Sequence, residues 1–302
     1  MKALITGANG FVGGHLERYL NSVGDEVVSL NPEVDIADQK SLSNELEQCG
    51  GSLDAIYHLA ALAHVAESFG SAMEVFRVNV LGTVNLLETA RRFCPKSRVL
   101  FVSSSEVYGR VPPQQLPVDE SFRLAPLSPY AASKAAAEHV AMQAFRAFEQ
   151  DIIVARPFNH IGPGQSEAYV VSALAKRVLR AKLLGESSIP VGNLGSKRDF
   201  TDVRDVVRAY RKMMDVGVSG QTYNVCSGKS YSISEIAEQI IKYADADIVL
   251  ERDPSLARDV EASETYGDSS KCCNELSWKP LIPISESLQS VLEWWSDRLR
   301  PG

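Results

Sequence analysis

The chain has no apolar run long enough to cross a bilayer, no excess of basic residues and no cysteine pairing that would suggest a zinc site or a disulfide framework. Its 31 Lys and Arg against 38 Asp and Glu leave a net charge of −7, which argues against a broad polyanion-binding surface and so against a nucleic-acid partner. The five cysteines, Cys49, Cys94, Cys226, Cys272 and Cys273, are odd in number and fit a reducing cytoplasm. Met1 to Thr6 runs straight into a strand-like segment, leaving no room for a signal peptide. The five histidines lack the spacing of metal ligands, so no metal is expected. Internal repeats and low-complexity segments are absent as well.

What the chain does have is 45% hydrophobic residues over 302 positions, enough for one large or two coupled domains. Short apolar runs at Ala3 to Thr6, Val27 to Leu30, Ala55 to Leu59, Val99 to Ser103 and Ile152 to Ala155 read as buried parallel strands. Helix-periodic stretches alternate with them at Phe11 to Ser22, Ser41 to Gln48, Ala72 to Phe93 and Tyr130 to Glu149. That alternation predicts an α/β fold with a doubly wound parallel sheet of Rossmann type. Beyond Arg156 the pattern loosens into Pro157, Gly162, Pro163 and Gly164, where a second, smaller α/β lobe is expected to begin. Thr201 to Asp215 and Thr222 to Val225 look like a helix and a strand returning to the sheet. The expected dinucleotide-binding domain is therefore 1–156 with 198–226, and the substrate lobe 157–197 with 227–302.

Gly7, Gly10 and Gly13 lie between the first strand and the first helix. Glycines there allow a tight turn, a close approach of backbone to a pyrophosphate and close packing of helix on strand. Because strand precedes and amphipathic helix follows, the motif predicts a dinucleotide site. Asn9, Phe11 and Val12 belong to the same loop and helix start.

A second motif is Ser128-Pro-Tyr-Ala-Ala-Ser-Lys134, in which Tyr130 and Lys134 share one helix face. An ammonium one turn from a phenol favours the phenolate and suits the pair to acid/base work at a carbonyl or carbinol. The serine cluster Ser103 to Ser105 ends the fourth strand run and precedes Glu106, and a hydroxyl there can stabilise a developing oxyanion.

Taken in order, these motifs resemble the extended short-chain dehydrogenase/reductase superfamily. His58-Leu-Ala-Ala61 is similar to its loop under adenine and ribose, Asn79 to a helix-bending active-site residue, and Asp35 with Ile36 to the pair flanking adenine. The resemblance implies a nicotinamide dinucleotide held by Gly7, Asn9, Gly10, Phe11, Val12, Gly13, Asn31, Asp35, Ile36, Leu59, Ala60, Ala61, Asn79, Tyr130, Lys134, Pro157 and Phe158. It implies Ser104, Tyr130 and Lys134 as catalytic groups, with Glu106 beside them. Asn31 stands where an acidic residue would bind the ribose hydroxyl, so NAD and NADP both stay open.

Arg156-Pro-Phe-Asn-His-Ile-Gly-Pro-Gly-Gln165 resembles the family's enzymes of GDP-sugars, most closely the GDP-4-keto-6-deoxy-D-mannose reductases. Val191 to Val203 and Tyr223 to Gly228 extend the likeness over nearly the whole chain. It implies a substrate site of Ser105, Glu106, Asn159, Tyr169, Val170, Asn193, Arg198, Arg258 and Glu261, with both arginines on phosphate and Glu261 on the nucleotide ribose. The implied activity is reduction of the 4-keto sugar nucleotide to GDP-D-rhamnose. The alternatives are a GDP-mannose 4,6-dehydratase, a nucleotide-sugar 4-epimerase and, outside enzymes, a silent dinucleotide-binding regulator. Helical stretches 72–93 and 130–149 are apolar on more than one face, and a homodimer through a four-helix interface is expected.

Overall fold

A computed structural model of the protein describes residues 1–31, 33–49, 52–256 and 263–300. Its first half alternates strand and helix: β1 (Lys2–Thr6), α1 (Phe11–Ser22), β2 (Glu26–Ser29), α2 (Gln39–Gln48) and β3 (Ala55–His58). After the short α3 (Val65–Ser68), α4 (Ala72–Phe76) runs through a π-helical turn, Arg77–Leu81, into α5 (Gly82–Phe93). Next come β4 (Arg98–Val102), a 3-10 turn at Ser105–Tyr108, α6 (Pro129–Phe148) and β5 (Ile152–Pro157).

The second half holds β6 (Asn159–Ile161), α7 (Val170–Leu184), β7 (Ser188–Val191), β8 (Lys197–Asp202), α8 (Val203–Val216) and β9 (Thr222–Val225). It closes with β10 (Ser230–Ser232), α9 (Ile233–Tyr243), β11 (Val249–Arg252), β12 (Glu264–Thr265), α10 (Ser270–Leu276) and α11 (Ile284–Leu299).

The main sheet has the order β2-β1-β3-β4-β5-β9 with every pair parallel. The chain leaves β1 in one direction to reach β2 and in the other for β3, β4, β5 and β9, so the direction of winding reverses beside β1. Ligand crevices in open α/β sheets form at that reversal, outside the carboxyl ends of the strands. The two loops that meet there follow β1 and β3. A Cβ built on Gly7 would lie 2.9 Å from the Ala60 nitrogen, which shows how closely they approach.

Both faces of the sheet are covered, which is why its strands read as continuous apolar runs rather than alternating ones. One core joins Leu16 and Leu20 of α1 to Val206, Tyr210 and Met213 of α8 beneath Ile5, Tyr57 and Leu100. The other joins Leu42 and Leu46 of α2 to Leu86 of α5 and Ala137 and Ala141 of α6 beneath Ile56, Phe101 and Val154. Small residues on α6 let that helix lie close to the sheet, which brings Tyr130 and Lys134 to the end of β4.

The remaining elements form a smaller assembly. β8 is flanked by β10 and β12 and also pairs in parallel with β6, while β7 pairs with β11. Residues of α7, α9 and α11 share one apolar core there, including Leu174, Ile236, Leu292 and Trp295. The Trp295 indole donates to Ser172 Oγ at 2.8 Å, fastening α11 to α7.

The continuous helix expected from Ala72 to Phe93 is interrupted at 77–81. The expected helix at Thr201 begins at Val203, because Thr201 and Asp202 complete β8 and Asp202 caps α8 through Arg204 N at 2.8 Å. Among the described residues no helix is long and apolar enough to cross a membrane.

Candidate active site

The glycine loop fits a bound pyrophosphate by its shape. Gly7 has φ +76°, and its carbonyl accepts the Gly10 N–H at 3.0 Å, closing the turn. A Cβ on Gly13 would fall 2.2 Å from Gly7 O and 2.7 Å from Ala8 Cα, so helix and loop can touch only through a glycine. At Gly10 an added Cβ would meet only Gly7 O within 4 Å, leaving the approach to the helix end otherwise open. Gly10 is the N-cap of α1 and supplies no side chain to its first N–H groups, which a phosphate could satisfy.

Around this loop the expected dinucleotide residues divide into two groups. Asn9 and Gly10 are exposed, and Phe11, Val12, Leu59, Ala60 and Ala61 are partly exposed at the crevice. Asn31 is exposed and its Oδ1 accepts Glu33 N at 3.0 Å, while Asp35 pairs with Arg77 at 2.7 Å. Pro157 ends β5. Ile36 and Phe158, in contrast, lie in cores. Ile36 packs where α5 has only Gly82, and Phe158 packs with Tyr108 and against Gly267. Their side chains are buried, as are those of Asn79, Tyr130 and Lys134.

Asn79 lies in the π-helical turn and is buried. The extra residue of such a turn redirects the side chain, and it clamps the Leu62 backbone, accepting from N at 2.8 Å and donating to O at 3.1 Å. It also donates to Ser133 Oγ at 2.9 Å, and Ser133 Oγ donates to Tyr130 O at 2.7 Å. Behind it, Thr83 Oγ1 donates to Asn79 O at 2.6 Å and contacts His58 Nε2 at 3.0 Å, and His58 Nδ1 contacts Thr6 Oγ1 at 2.8 Å. This buried chain joins the end of β1 to the helix of the catalytic pair. The sequence reading found Asn79 but not His58, Thr83 or Ser133, whose role depends on contacts between distant segments.

Ser104, Tyr130 and Lys134 converge at the end of β4. Ser128 caps α6 through Ala131 N at 3.1 Å and Pro129 opens it, which sets Tyr130 in the first turn. Ser104 acts on the Tyr130 phenol, and Ser104 Oγ accepts Glu106 N at 3.2 Å. Lys134 Nζ donates to Val102 O at 2.7 Å and lies 5.3 Å from the Phe101 ring centre. Burial pushes the Tyr130 phenol up, opposed by the neighbouring Ser104 hydroxyl. Burial lowers Lys134 from 10.5 to about 8, with Glu138 raising it. The expectation that the ammonium draws the phenol down is therefore corrected: burial dominates, and Tyr130 is held as the neutral acid.

Ser105 is buried and Glu106 is exposed, with the Glu106 charge close enough to raise the Tyr130 phenol further. Tyr169 is exposed and acts on Tyr130 in the same sense; it precedes Val170, which starts α7 and is also exposed. Asn159 begins β6 opposite Phe200, so it is carried directly off the end of β5. Asn193 is exposed, with its Oδ1 on Gly195 N at 3.1 Å. Arg198 lies in β8 between Tyr231 and Thr265. Arg198 Nη1 donates to Lys197 O at 2.8 Å; Asp199 accepts from Ser227, Gly228 and Gly267, and Asp202 from Arg204 and Ser287. Arg258 and Glu261 lie outside the described residues. Among those described, no group of three His, Cys, Asp or Glu could hold a metal.

Comparison with known proteins gives a consistent set of likenesses. Residues 31–291 match the GDP-mannose 4,6 dehydratase family. A GDP-6-deoxy-D-mannose reductase of Pseudomonas aeruginosa is 34% identical over 302 residues, covering 99% of this chain and 98% of the relative. A GDP-6-deoxy-D-talose 4-dehydrogenase of Aggregatibacter actinomycetemcomitans is 30% identical, covering 91% of each. Among solved structures, RMD from Pseudomonas aeruginosa complexed with NADPH superposes with a TM-score of 0.92 at 34% identity, covering 99% of both chains.

Proposed function

The chain belongs to the GDP-mannose 4,6 dehydratase family of extended short-chain dehydrogenase/reductases, and from that premise we propose that it reduces the 4-keto group of GDP-4-keto-6-deoxy-D-mannose to GDP-D-rhamnose. The observation that carries the reading is the convergence of the buried Ser104, Tyr130 and Lys134 at the end of β4, with Lys134 Nζ donating to Val102 O and Ser104 acting on the Tyr130 phenol. When bound, a reduced nicotinamide dinucleotide supplies hydride to the carbonyl carbon. Tyr130, kept neutral by its burial, donates its proton to the ketone oxygen. Ser104 donates a hydrogen bond to the same oxygen as negative charge builds there. Lys134, anchored on Val102 O, holds a positive charge beneath the site and binds the nicotinamide ribose. Ser105, Glu106, Asn159, Tyr169, Val170, Asn193, Arg198, Arg258 and Glu261 are the proposed sugar-nucleotide contacts.

Glu106 supports one rival reading. It is an exposed carboxylate within electrostatic reach of Tyr130, as an elimination of the C6 hydroxyl would require. A panel of 4-keto sugar nucleotides with NADH and NADPH separates the two. Reduction consumes one reduced dinucleotide per product, identified by NMR, and Tyr130→Phe lowers kcat by about 10²–10⁴. Turnover of GDP-mannose with no added reduced dinucleotide would sink the reductase reading. The free thiols are consistent with the reducing cytoplasm we propose as the location.

A further inference from the structure

Behind the catalytic groups lies a second polar cluster that the proposed reaction does not use. Glu138 stands one turn beyond Lys134 on α6, and Arg156 is the fifth residue of β5. Their side chains are 4% and 8% exposed and joined by a forked pair, Nε to Oε1 at 3.0 Å and Nη2 to Oε2 at 2.8 Å. Arg156 Nη1 donates to Tyr108 OH at 2.9 Å and to Glu120 O at 3.1 Å, and the guanidinium carbon sits 4.9 Å from the Tyr108 ring centre. Tyr108 OH in turn donates to Asn224 Oδ1 at 2.7 Å, and Asn224 N donates to Glu120 Oε1 at 2.7 Å.

The elements this cluster joins are those that carry the reacting groups. Tyr108 ends the turn that Ser104 caps. Glu138 belongs to the helix of Tyr130 and Lys134, and Arg156 leads through Pro157 and Phe158 to Asn159. A buried ion pair is no better for stability than apolar side chains of similar volume. A forked guanidinium adds direction, because its donors hold three segments at fixed angles. We infer that Glu138 and Arg156 are a positioning pair that sets the Ser104 turn against the Tyr130–Lys134 helix. The inference rests on the reading of those three residues as the reacting groups.

The test compares wild type with Glu138→Gln, Arg156→Lys and the double variant Glu138→Leu with Arg156→Met, all as full-length protein. The double variant removes both charges together and is expected to melt near the wild-type temperature. Its kcat should nevertheless fall about 10²-fold, the cost of a displacement on the order of 1 Å at the reacting atoms, with the Kd for NADPH within about twofold of wild type. Glu138→Gln adds a readout that packing alone would not move. Among the described residues, the titratable groups coupled to Lys134 are Glu138 on its own helix, a carboxylate, and His58 from β3. Neutralising Glu138 should shift the alkaline limb of kcat/KM to lower pH.

A third measurement needs no substrate. The ring Cζ chemical shift of Tyr130 in ¹³C-tyrosine-labelled protein, assigned with Tyr130→Phe, should change in the double variant as Ser104 moves relative to the phenol. A folded double variant with wild-type kcat and an unmoved Tyr130 resonance would overturn the inference. Should the double variant not fold, an unmoved Tyr130 resonance in both folded single variants would overturn it equally. If wild type turned over no 4-keto sugar nucleotide while the resonance still moved, the substrate reading would fail and the positioning pair would stand.

Discussion

Lys134 takes its proton into a buried place, and the pH at which it surrenders that proton should govern the site. Its folded value is about 8 against an ordinary 10.5, while the Tyr130 phenol is raised by burial. Tyr130 therefore remains a proton donor across the working range, and the group lost first on the alkaline side is the ammonium. The expected kcat/KM is level below that value and declines as pH rises through about 8; a profile flat well beyond it would contradict the assignment. The same shift bears on stability. Between about 8 and 10.5 the unfolded chain holds a proton that the folded chain has released, so stability rises with pH across that window and the burden is largest below it. Lys134→Met should thus raise the melting temperature at neutral pH while nearly abolishing turnover, with the gain shrinking as pH rises through the window. Calorimetry at the two conditions checks the sign.

At the scale of elements, the chain from Thr6 through His58, Thr83 and Asn79 to Ser133 ties β1, β3, α5 and α6 into one frame. Burial lowers His58 to about 3, so the folded ring stays neutral while the unfolded ring takes a proton below 6.5. Its contribution is complete above 6.5 and is lost as pH falls from there towards 3. Urea unfolding of His58→Gln should show a shallower acid slope than wild type, by ~1.4 kcal/mol per pH unit at most. Equal slopes would place the titration elsewhere.

Much of this frame was legible in the sequence, because four or five apolar residues between turn formers, as at Ala55 to His58, have little choice but a buried strand. The π-helical turn was not, since one extra residue in a helix leaves the local apolar spacing of 72–93 nearly unchanged. Ile36 and Phe158 show a different limit. Their neighbours Asp35 and Asn159 lie at the surface or in a short strand, and sequence adjacency does not say which of two successive side chains turns inward. Glu138 and Arg156 were hidden for a third reason: the partners stand 18 residues apart on a helix and a strand, and no local spacing announces the pair.

At the scale of the whole molecule, one stretch of surface is apolar. Phe69, Met73, Phe76 and Leu81 are 57%, 86%, 38% and 45% exposed, and they recur at near-helical spacing along α4 and its flanks. α4 packs on α6, so this apolar stripe continues a surface formed by the helices that carry Asn79 and the catalytic pair. Isolated apolar residues are ordinary on a surface, whereas a row of four large ones is the pattern expected of a face built for a partner. A second copy suits it, because two-fold packing of a helix pair on its own image builds a four-helix interface. Sedimentation velocity at micromolar concentration should give twice the chain mass. Met73→Arg with Leu81→Arg should give the single chain, with its melting temperature reduced and its circular dichroism retained. If the dimer survived both arginines the interface would lie elsewhere, and a wild-type monomer would dismiss it altogether. The consequence reaches the chemistry, since α6 is anchored on its other side to the sheet through Lys134 and Val102. A partner pressing on this helix pair would stiffen Tyr130 and Asn79 together, so the separated chain should lose kcat more than it loses affinity for NADPH.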